Sequence, residues 1–340
     1  MRYNRTAYHS APYIYSSADT RRTSILVLFL LLLQLILMGI VQDFAGILLI
    51  VCTGIGALTA SLLIAYTEGV LSFDIHALLT GVLIGFFFPF ECGLIFSFFI
   101  AFMSYFLSWG VFGGKGNSWI NPVMLAVCIA AVSKPDCFTQ PVALDAIYLH
   151  GSVFNALEAY SPIRMSADQA VTSMLNSTFL HSIGVTLPEG YISLFLLFPS
   201  KIPALRYNIL LLISSIVLLS VKAIHKTLPF AFLTTYSALI YLFSVPAHAG
   251  TFTGGDILSA LLTSGALFSA FFVMNDGGSI PRSWTGRLIS GVLTGIFAFC
   301  IAGPGINPAG IAFAVVSANC INPVIERLEL YFYKRKRGAL

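Results

Sequence analysis

Long apolar runs separated by short polar interruptions make up most of the chain. Each run is close to the roughly 20 residues that an α-helix needs to cross a bilayer. The pattern predicts an all-α integral membrane protein with about ten transmembrane helices. Their approximate bounds are 23–40, 45–66, 70–88, 93–109, 120–133, 207–222, 229–245, 257–274, 288–301 and 309–325.

The composition supports a membrane protein and excludes two other classes. Of the 340 residues, 57% are hydrophobic and 9% are charged, with a mean hydropathy of +0.89. Soluble globular proteins carry about 25% charged residues. Disordered chains combine low hydrophobicity with high charge. The chain is therefore expected to be neither soluble nor disordered.

The positions of the charges predict how the chain is oriented. Fourteen of the eighteen Lys and Arg residues fall on the side that holds both termini, including the basic run 334–337. Positive residues mark the cytoplasmic side of membrane proteins, and attraction to anionic headgroups predicts the same side. Both termini are expected in the cytoplasm. Nucleic acid is not an expected partner, because a basic tail this short beside a membrane is more typical of a topology signal.

The same threading divides the chain into five parts. Residues 1–22 form a cytoplasmic N-terminal segment and 23–133 a first transmembrane repeat. Residues 134–206, rich in Pro, Ser and Thr, form a long extracytoplasmic loop, a kind of segment that is usually functional. Residues 207–326 form a second transmembrane repeat, and 327–340 a basic cytoplasmic tail.

Two sequence echoes indicate an internal duplication. The segment that begins at Asp74 resembles the one at Asp256, 182 residues later, and the Gly-x-Gly and Asn-Pro pattern ending at Asn121 recurs at Asn307, 186 residues later. Five helices per repeat is an odd number, so the two repeats must have opposite orientations in the membrane. Inverted repeats of this kind place functional sites at the repeat interface.

The polar positions inside this pattern each allow two interpretations. Asp74 and Asp256 are either parts of a cation or proton path or helix N-caps. The stretch 275–287 either binds a cofactor or is a tight loop with topology-setting arginines. Residues 166–175 by themselves indicate only the start of a short amphipathic helix. The six cysteines show no metal-ligand spacing, and no metal site or catalytic triad is expected.

Several of these segments together resemble the NqrB/RnfD family, the flavin-carrying membrane subunits of the Na+-translocating NADH:quinone reductase and the Rnf complex. The length of the chain is more similar to RnfD than to NqrB. The segments that carry the resemblance are Ser10–Ile14, Asp74–Pro89, Phe112–Pro122, Ala270–Gly291 and Ala309–Pro323.

The resemblance implies two flavin sites. In this family FMN is attached by a phosphoester to a threonine of the extracytoplasmic loop, and the corresponding residue is Thr172, with Ser173 as an alternative. Residues 169–171 are Gln-Ala-Val where the family usually has Ser-Gly-Ala. The resemblance also implies a second, non-covalent flavin (riboflavin or FMN) between the repeats. The candidate lining residues are Gly113, Gly114, Asn121, Asp276 and Arg287.

The function implied by the resemblance is that of a flavin-carrying subunit in an ion-translocating ferredoxin:NAD oxidoreductase of the Rnf type. Electron transfer through FMN would be coupled to movement of Na+ or H+ across the bacterial inner membrane. The expected partners are the other subunits, a flavin transferase and membrane lipid. Two alternatives remain: a channel or transporter for a small solute built on the same inverted-repeat fold, and an assembly scaffold that has lost its flavins.

Overall fold

The computed structural model describes most of the membrane-embedded chain. The described residues are 20–69, 74–112, 118–138, 162–178, 180–183, 187, 189–198, 200–243, 257–303 and 309–338. Within these ranges every regular element is helical. The all-α prediction is therefore confirmed for this part of the chain.

Thirteen α-helices follow one another in the described ranges. They are α1 (Thr20–Ile40), α2 (Phe44–Thr67), α3 (Ile75–Phe87), α4 (Leu94–Tyr105), α5 (Pro122–Ser133), α6 (Pro162–Ser177), α7 (Tyr191–Leu196), α8 (Asn208–Ser220), α9 (Thr227–Phe243), α10 (Ile257–Thr263), α11 (Ala266–Phe268), α12 (Trp284–Ala302) and α13 (Gly310–Gly338). Short 3-10 turns connect several of them.

A helix lies at each of the ten predicted apolar runs, and five segments are long and apolar enough to cross a membrane. These five are Thr20–Ile40, Phe44–Thr67, Leu94–Val111, Trp284–Ala302 and Gly310–Tyr333. Helices α3, α5, α8 and α9 are apolar but shorter. The chain is thus a multi-pass membrane protein.

The eighth run is broken rather than continuous. Helix α10 ends at Thr263, and Gly265 adopts a positive φ of 80° before α11 begins. This left-handed conformation suits glycine, which has no Cβ. After α11 the backbone continues as a π-helical turn over Ser269–Val273, and a second π turn over Phe106–Val111 extends α4.

Apolar side chains cover both the interior and much of the outer surface. Buried aliphatic and aromatic residues from both halves of the chain form one contiguous core. On the outside, Ile95, Val132 and Ile216 are 77%, 72% and 66% exposed. Apolar exposure on this scale is unfavourable in water but is the normal state of a surface that faces lipid.

Small residues allow close approach between helices in both halves. A Cβ on Gly56 of α2 would lie 2.6 Å from the Phe98 carbonyl oxygen of α4. A Cβ on Gly295 of α12 would lie 3.0 Å from the Phe232 carbonyl oxygen of α9. Glycine at such positions lets membrane helices pack backbone to backbone. The second and fourth helices of each half therefore meet in a similar way.

Polar contacts join the chain segments that the threading places on the extracytoplasmic side. Arg206, before α8, pairs with Asp43 between α1 and α2. Lys201 lies 2.8 Å from Glu91 between α3 and α4, and the Lys134 ammonium after α5 donates to the Cys92 carbonyl at 2.9 Å. These segments therefore lie at one end of the helix bundle.

Two helices form the described part of the long polar loop. Helix α7 has six residues, with Tyr191 and Leu194 buried, and it packs against α8 and α10. Asn208 at the start of α8 donates to the Leu194 carbonyl at 2.8 Å. Helix α6 packs against α7. The prediction that the apolar stretch 191–198 is too short to span agrees with this placement.

Candidate functional site

A cavity of about 220 Å³ lies between the two halves of the chain. Its walls come from α1, α3 and the start of α5 in the first half, and from residues 223–225 and 271–280 in the second. We call it the inner cavity. It lies at the end of the bundle where α3 and α5 begin, at the contact between the two halves.

Local helix starts place two of the lining residues. Asp74 caps α3 by accepting from the His76 amide at 3.0 Å. Asn121 caps α5 by accepting from the amides of Val123 and Met124 at 3.0 and 3.2 Å, and Pro122 is the first helical residue. Both caps are sequence-local, because Asp and Asn satisfy free amides at a helix start. The N-cap interpretation of Asp74 is confirmed.

The π turns bring further groups to the inner cavity. The Asn121 side-chain amide donates to the carbonyl of Val273, the last residue of the second π turn, at 2.9 Å. Trp109, inside the first π turn, places its ring 4.8 Å from the His76 imidazole. π turns inside α-helices are rare and frequent at functional sites.

A histidine and an aspartate from opposite halves meet at the inner cavity. His76 Nε2 lies 3.4 Å from Asp276 Oδ1, and the two side chains are 15% and 14% exposed. The second carboxylate oxygen, Oδ2 of Asp276, is buried without a hydrogen-bond partner among the described residues. A buried carboxylate oxygen of this kind is a ready acceptor for a donor on a ligand.

Asn275 ties the loop after α8 to the second π turn. Its side-chain oxygen accepts from the His225 amide at 3.1 Å, and its side-chain nitrogen donates to the Ala270 carbonyl at 3.1 Å. Burial, followed by the nearby Arg287 charge, lowers the pKa of His225. His225 therefore adds a neutral imidazole to the cavity wall at pH 7.

The predicted lining residues differ in where they lie. Asn121 and Asp276 both line the inner cavity. Gly113 and Gly114 lie outside the described residues. Arg287 is not among the lining residues: its guanidinium donates to the carbonyls of Pro281 and Arg282 at 3.0 and 2.9 Å and so holds the loop before α12.

Sequence reasoning missed His76 and His225. His76 follows Asp74 by two residues, so its position next to a capped helix start can be read from the sequence. Its partner Asp276 is 200 residues away in sequence, however, and no local pattern indicates their contact. His225 lies between Lys222 and Lys226, a pattern that by itself indicates only an inside-facing charge.

Thr172 lies in α6 at a buried contact with α7. The side chain is 1% exposed, and its hydroxyl donates to Asp168 Oδ1 at 3.0 Å. Asp168 is 3% exposed and also accepts from the Gly190 amide at 2.8 Å and the Ser193 amide at 2.6 Å. We call these three hydrogen bonds the Asp168 junction. The neighbouring Ser173 is exposed.

A second pair of hydrogen bonds holds the other end of α6. The Asn176 side chain accepts from the Leu187 amide at 2.8 Å and donates to the Leu187 carbonyl at 2.9 Å. α6, the residues that follow it and α7 are therefore joined at two places, one of which is the predicted acceptor threonine.

A larger cleft of about 1140 Å³ lies at the surface between the loop before α12 and the end of α13. Arg282, Thr285 and Glu329 are among the residues that line it, and none of the predicted site residues does so. It is open and formed in part by the end of one helix, so the inner cavity is the better candidate. The structure assembles no cluster of three metal-ligating side chains in the ranges that it describes.

Comparison with known proteins defines the family. The model of the NQR2, RnfD, RnfE family matches residues 7–332, which is nearly the whole chain. The chain belongs to this family. The resemblance drawn from its motifs is thereby confirmed.

Members of the NQR2, RnfD, RnfE family with similar sequences carry one name. A protein of Citrobacter koseri, named as the RnfD subunit of an ion-translocating oxidoreductase complex, is 26% identical over 361 aligned positions, covering 96% of this chain and 97% of its own. Proteins of the same name from Cellvibrio japonicus and Haemophilus influenzae are 28% and 29% identical. They cover 78% and 64% of this chain, and 77% and 65% of their own length.

Proposed function

We propose that this protein is the flavin-carrying membrane subunit of an ion-translocating electron transport complex of the Rnf type. The observation that carries the proposal is the family match over residues 7–332. Relatives named as a subunit of an ion-translocating oxidoreductase complex match along nearly their whole length. The protein would work together with the other subunits of such a complex, and its electron transfer would be coupled to Na+ or H+ movement.

The proposed membrane arrangement has ten spans in two inverted five-helix repeats, with both termini in the cytoplasm of a bacterium and the flavin-bearing loop outside. Helices at all ten predicted runs support it. The glycine-mediated contacts of α2 with α4 and of α9 with α12 support the duplication, because they occupy equivalent positions in the two halves. The four loops joined at one end of the bundle agree with the threading.

The inner cavity is the proposed place of the second, non-covalent flavin. Its chemistry suits a polar heterocycle, since His76, Asp276 and Asn275 offer both donors and acceptors, with Phe271 and Phe272 beside them. Its volume of about 220 Å³ is below the roughly 300–1,000 Å³ of typical ligand pockets. It therefore suits the ring of a flavin, with the polar tail directed out of the cavity. A bound flavin would supply the electron-transfer chemistry, and the chain would orient its ring.

Thr172 is the proposed attachment point of the covalent FMN. Its hydroxyl is enclosed between α6 and α7 and bonded to Asp168, so the conformation described above has no room for a phosphoester at this atom. The proposal therefore requires α6 and α7 to adopt a second arrangement. No electron-transfer step is assigned to this conformation.

Mass spectrometry of one tryptic peptide tests the covalent flavin. Trypsin releases residues 165–201, because Arg164 and Lys201 are the flanking cleavage sites. We expect this peptide to carry the mass of FMN in protein made with a flavin transferase, and the denatured protein to fluoresce on a gel. Thr172→Ala should lose both signals.

Ser173→Ala is the matched control, because Ser173 is adjacent, exposed and bonded only to the Ala170 carbonyl of its own helix among the described contacts. It should keep the flavin. A wild-type peptide without flavin would reject covalent attachment and favour the solute-transporter or scaffold alternatives. Loss of flavin in Ser173→Ala alone would move the attachment point by one residue.

A further inference from the structure

The position of Thr172 poses a problem for any enzyme that would modify it. Modification replaces the hydroxyl hydrogen with a phosphoryl group from a flavin dinucleotide, and a nucleoside monophosphate and a proton are released. The acceptor oxygen must therefore be reachable by a second protein. In the structure the Thr172 side chain is 1% exposed, and its hydroxyl is directed to a buried carboxylate.

The phosphoester that would result is also incompatible with the Asp168 junction. The modified oxygen has no hydrogen left to donate to Asp168. The phosphodiester keeps one negative charge, which would lie next to the Asp168 carboxylate. Like charges that are close together in a water-poor environment repel strongly. Both effects favour separation of Thr172 from its present surroundings.

The contacts of the two helices show which of them would move. Helix α7 is anchored in the core through buried Leu194, whose carbonyl accepts from Asn208. Helix α6 contacts the described part of the protein chiefly through α7 and the turn that follows α6. Breaking the Asp168 junction would therefore move α6 away and leave α7 in place. The Asn176–Leu187 pair would hold the far end of α6.

We propose that the Asp168 junction controls the covalent modification of this protein: Thr172 is accessible only while α6 is separated from α7, and a phosphoester at Thr172 keeps the two helices apart. This inference rests on the proposed role of Thr172 as flavin acceptor. Asp168 is a positioning residue in it. The unmodified protein holds α6 closed, and the modified protein holds it open.

Amide hydrogen exchange of the full chain in detergent tests the charge argument without any flavin. Thr172→Asp and Thr172→Asn are nearly equal in size. The aspartate sets a carboxylate against Asp168, whereas the asparagine can still donate to it. We expect exchange of the Gly190 and Ser193 amides to rise at least tenfold in Thr172→Asp and to stay near the wild-type rate in Thr172→Asn. The Leu187 amide, bonded to Asn176, is the internal reference. Equal rates in the two variants would overturn the proposal.

The same measurement on protein made with and without a flavin transferase tests the modified state. Attached flavin should raise exchange at Gly190 and Ser193 to the level of Thr172→Asp. Attached flavin with unchanged exchange would overturn the inference and leave the proposed function intact. A peptide without flavin would reject the proposed function, while the Asp and Asn variants would still decide whether charge at position 172 opens the junction.

Asp168→Asn separates control of access from chemical assistance. Its amide nitrogen cannot accept a hydrogen bond, so at least one of the bonds from Gly190 and Ser193 is lost and the junction weakens. We expect Thr172 to be modified several-fold faster than in the wild type at a limiting amount of transferase. Slower modification would mean that Asp168 activates the hydroxyl, and it would overturn the access role.

Discussion

His76 and Asp276 give the inner cavity its polar character, and each is mostly buried. Removing one member of such a pair leaves a desolvated group behind, which costs roughly 1–3 kcal/mol for a hydrogen-bonded group. His76→Ala should therefore lower the midpoint of thermal unfolding in detergent by several degrees. The loss arises because Asp276 then has no imidazole beside Oδ1.

His181→Ala is the matched control for this change, because His181 lies exposed in a 3-10 turn of the outer loop. We expect its unfolding midpoint to equal that of the wild type. If His76→Ala unfolds at the wild-type temperature, the pair contributes nothing to stability. The polarity of the inner cavity would then have to be explained by ligand binding alone.

At the scale of single residues, part of the site is predictable. Asn121 is predicted as a helix start because Asn followed by Pro satisfies the first amides locally, and it forms that cap. Its additional bond to Val273, 152 residues away, could not be predicted, since it depends on how the two halves pack. Thr172 is identified by resemblance, but its burial against α7 depends on hydrogen bonds to residues 190 and 193.

At the scale of helices, the contact of α2 with α4 sets a limit on side-chain size. A methyl group at position 56 would lie 2.6 Å from the Phe98 carbonyl oxygen, which is backbone and cannot rotate away. Overpacking of this kind costs typically about 1–3 kcal/mol. Gly56→Ala should therefore lower the thermal unfolding midpoint in detergent.

Gly39→Ala is the control for that substitution. Gly39 lies in α1, and a methyl group there would meet only Ile47 Cδ1 at 3.9 Å, an ordinary contact. Because alanine favours the helix over glycine by up to about 1 kcal/mol, the variant should be unchanged or slightly more stable. A similar loss in both variants would show that the α2–α4 approach is not the cause.

Helix positions are predicted well from hydrophobic runs, because each run must be buried in lipid or protein along its whole length. Helix lengths are predicted less well. Helix α3 stops at Phe87, two residues before Pro89, and α5 stops at Ser133 before Pro135. The break at Gly265 depends on a positive φ that hydropathy does not register.

At the scale of the whole molecule, the charge distribution predicts orientation. A green fluorescent protein fused after Leu340 should fluoresce, because that reporter folds in the cytoplasm. Alkaline phosphatase fused after Phe138 should be active, because it requires the extracytoplasmic side. The expected pattern follows from the excess of Lys and Arg at the termini and in the inner loops. An active phosphatase at the C-terminus together with an inactive one after Phe138 would reverse the orientation.

The two π turns make the inner cavity depend on chain length as well as on side chains. Each residue of a helix contributes about 100° of rotation and 1.5 Å of advance. Deleting one residue within Ser269–Val273 would turn Asp276 away from His76, although every side chain at the cavity would remain in the sequence. The distance along the chain from Gly265 to Asp276 is thus itself a determinant of the site, and a single-residue deletion there should abolish it while a conservative substitution would not.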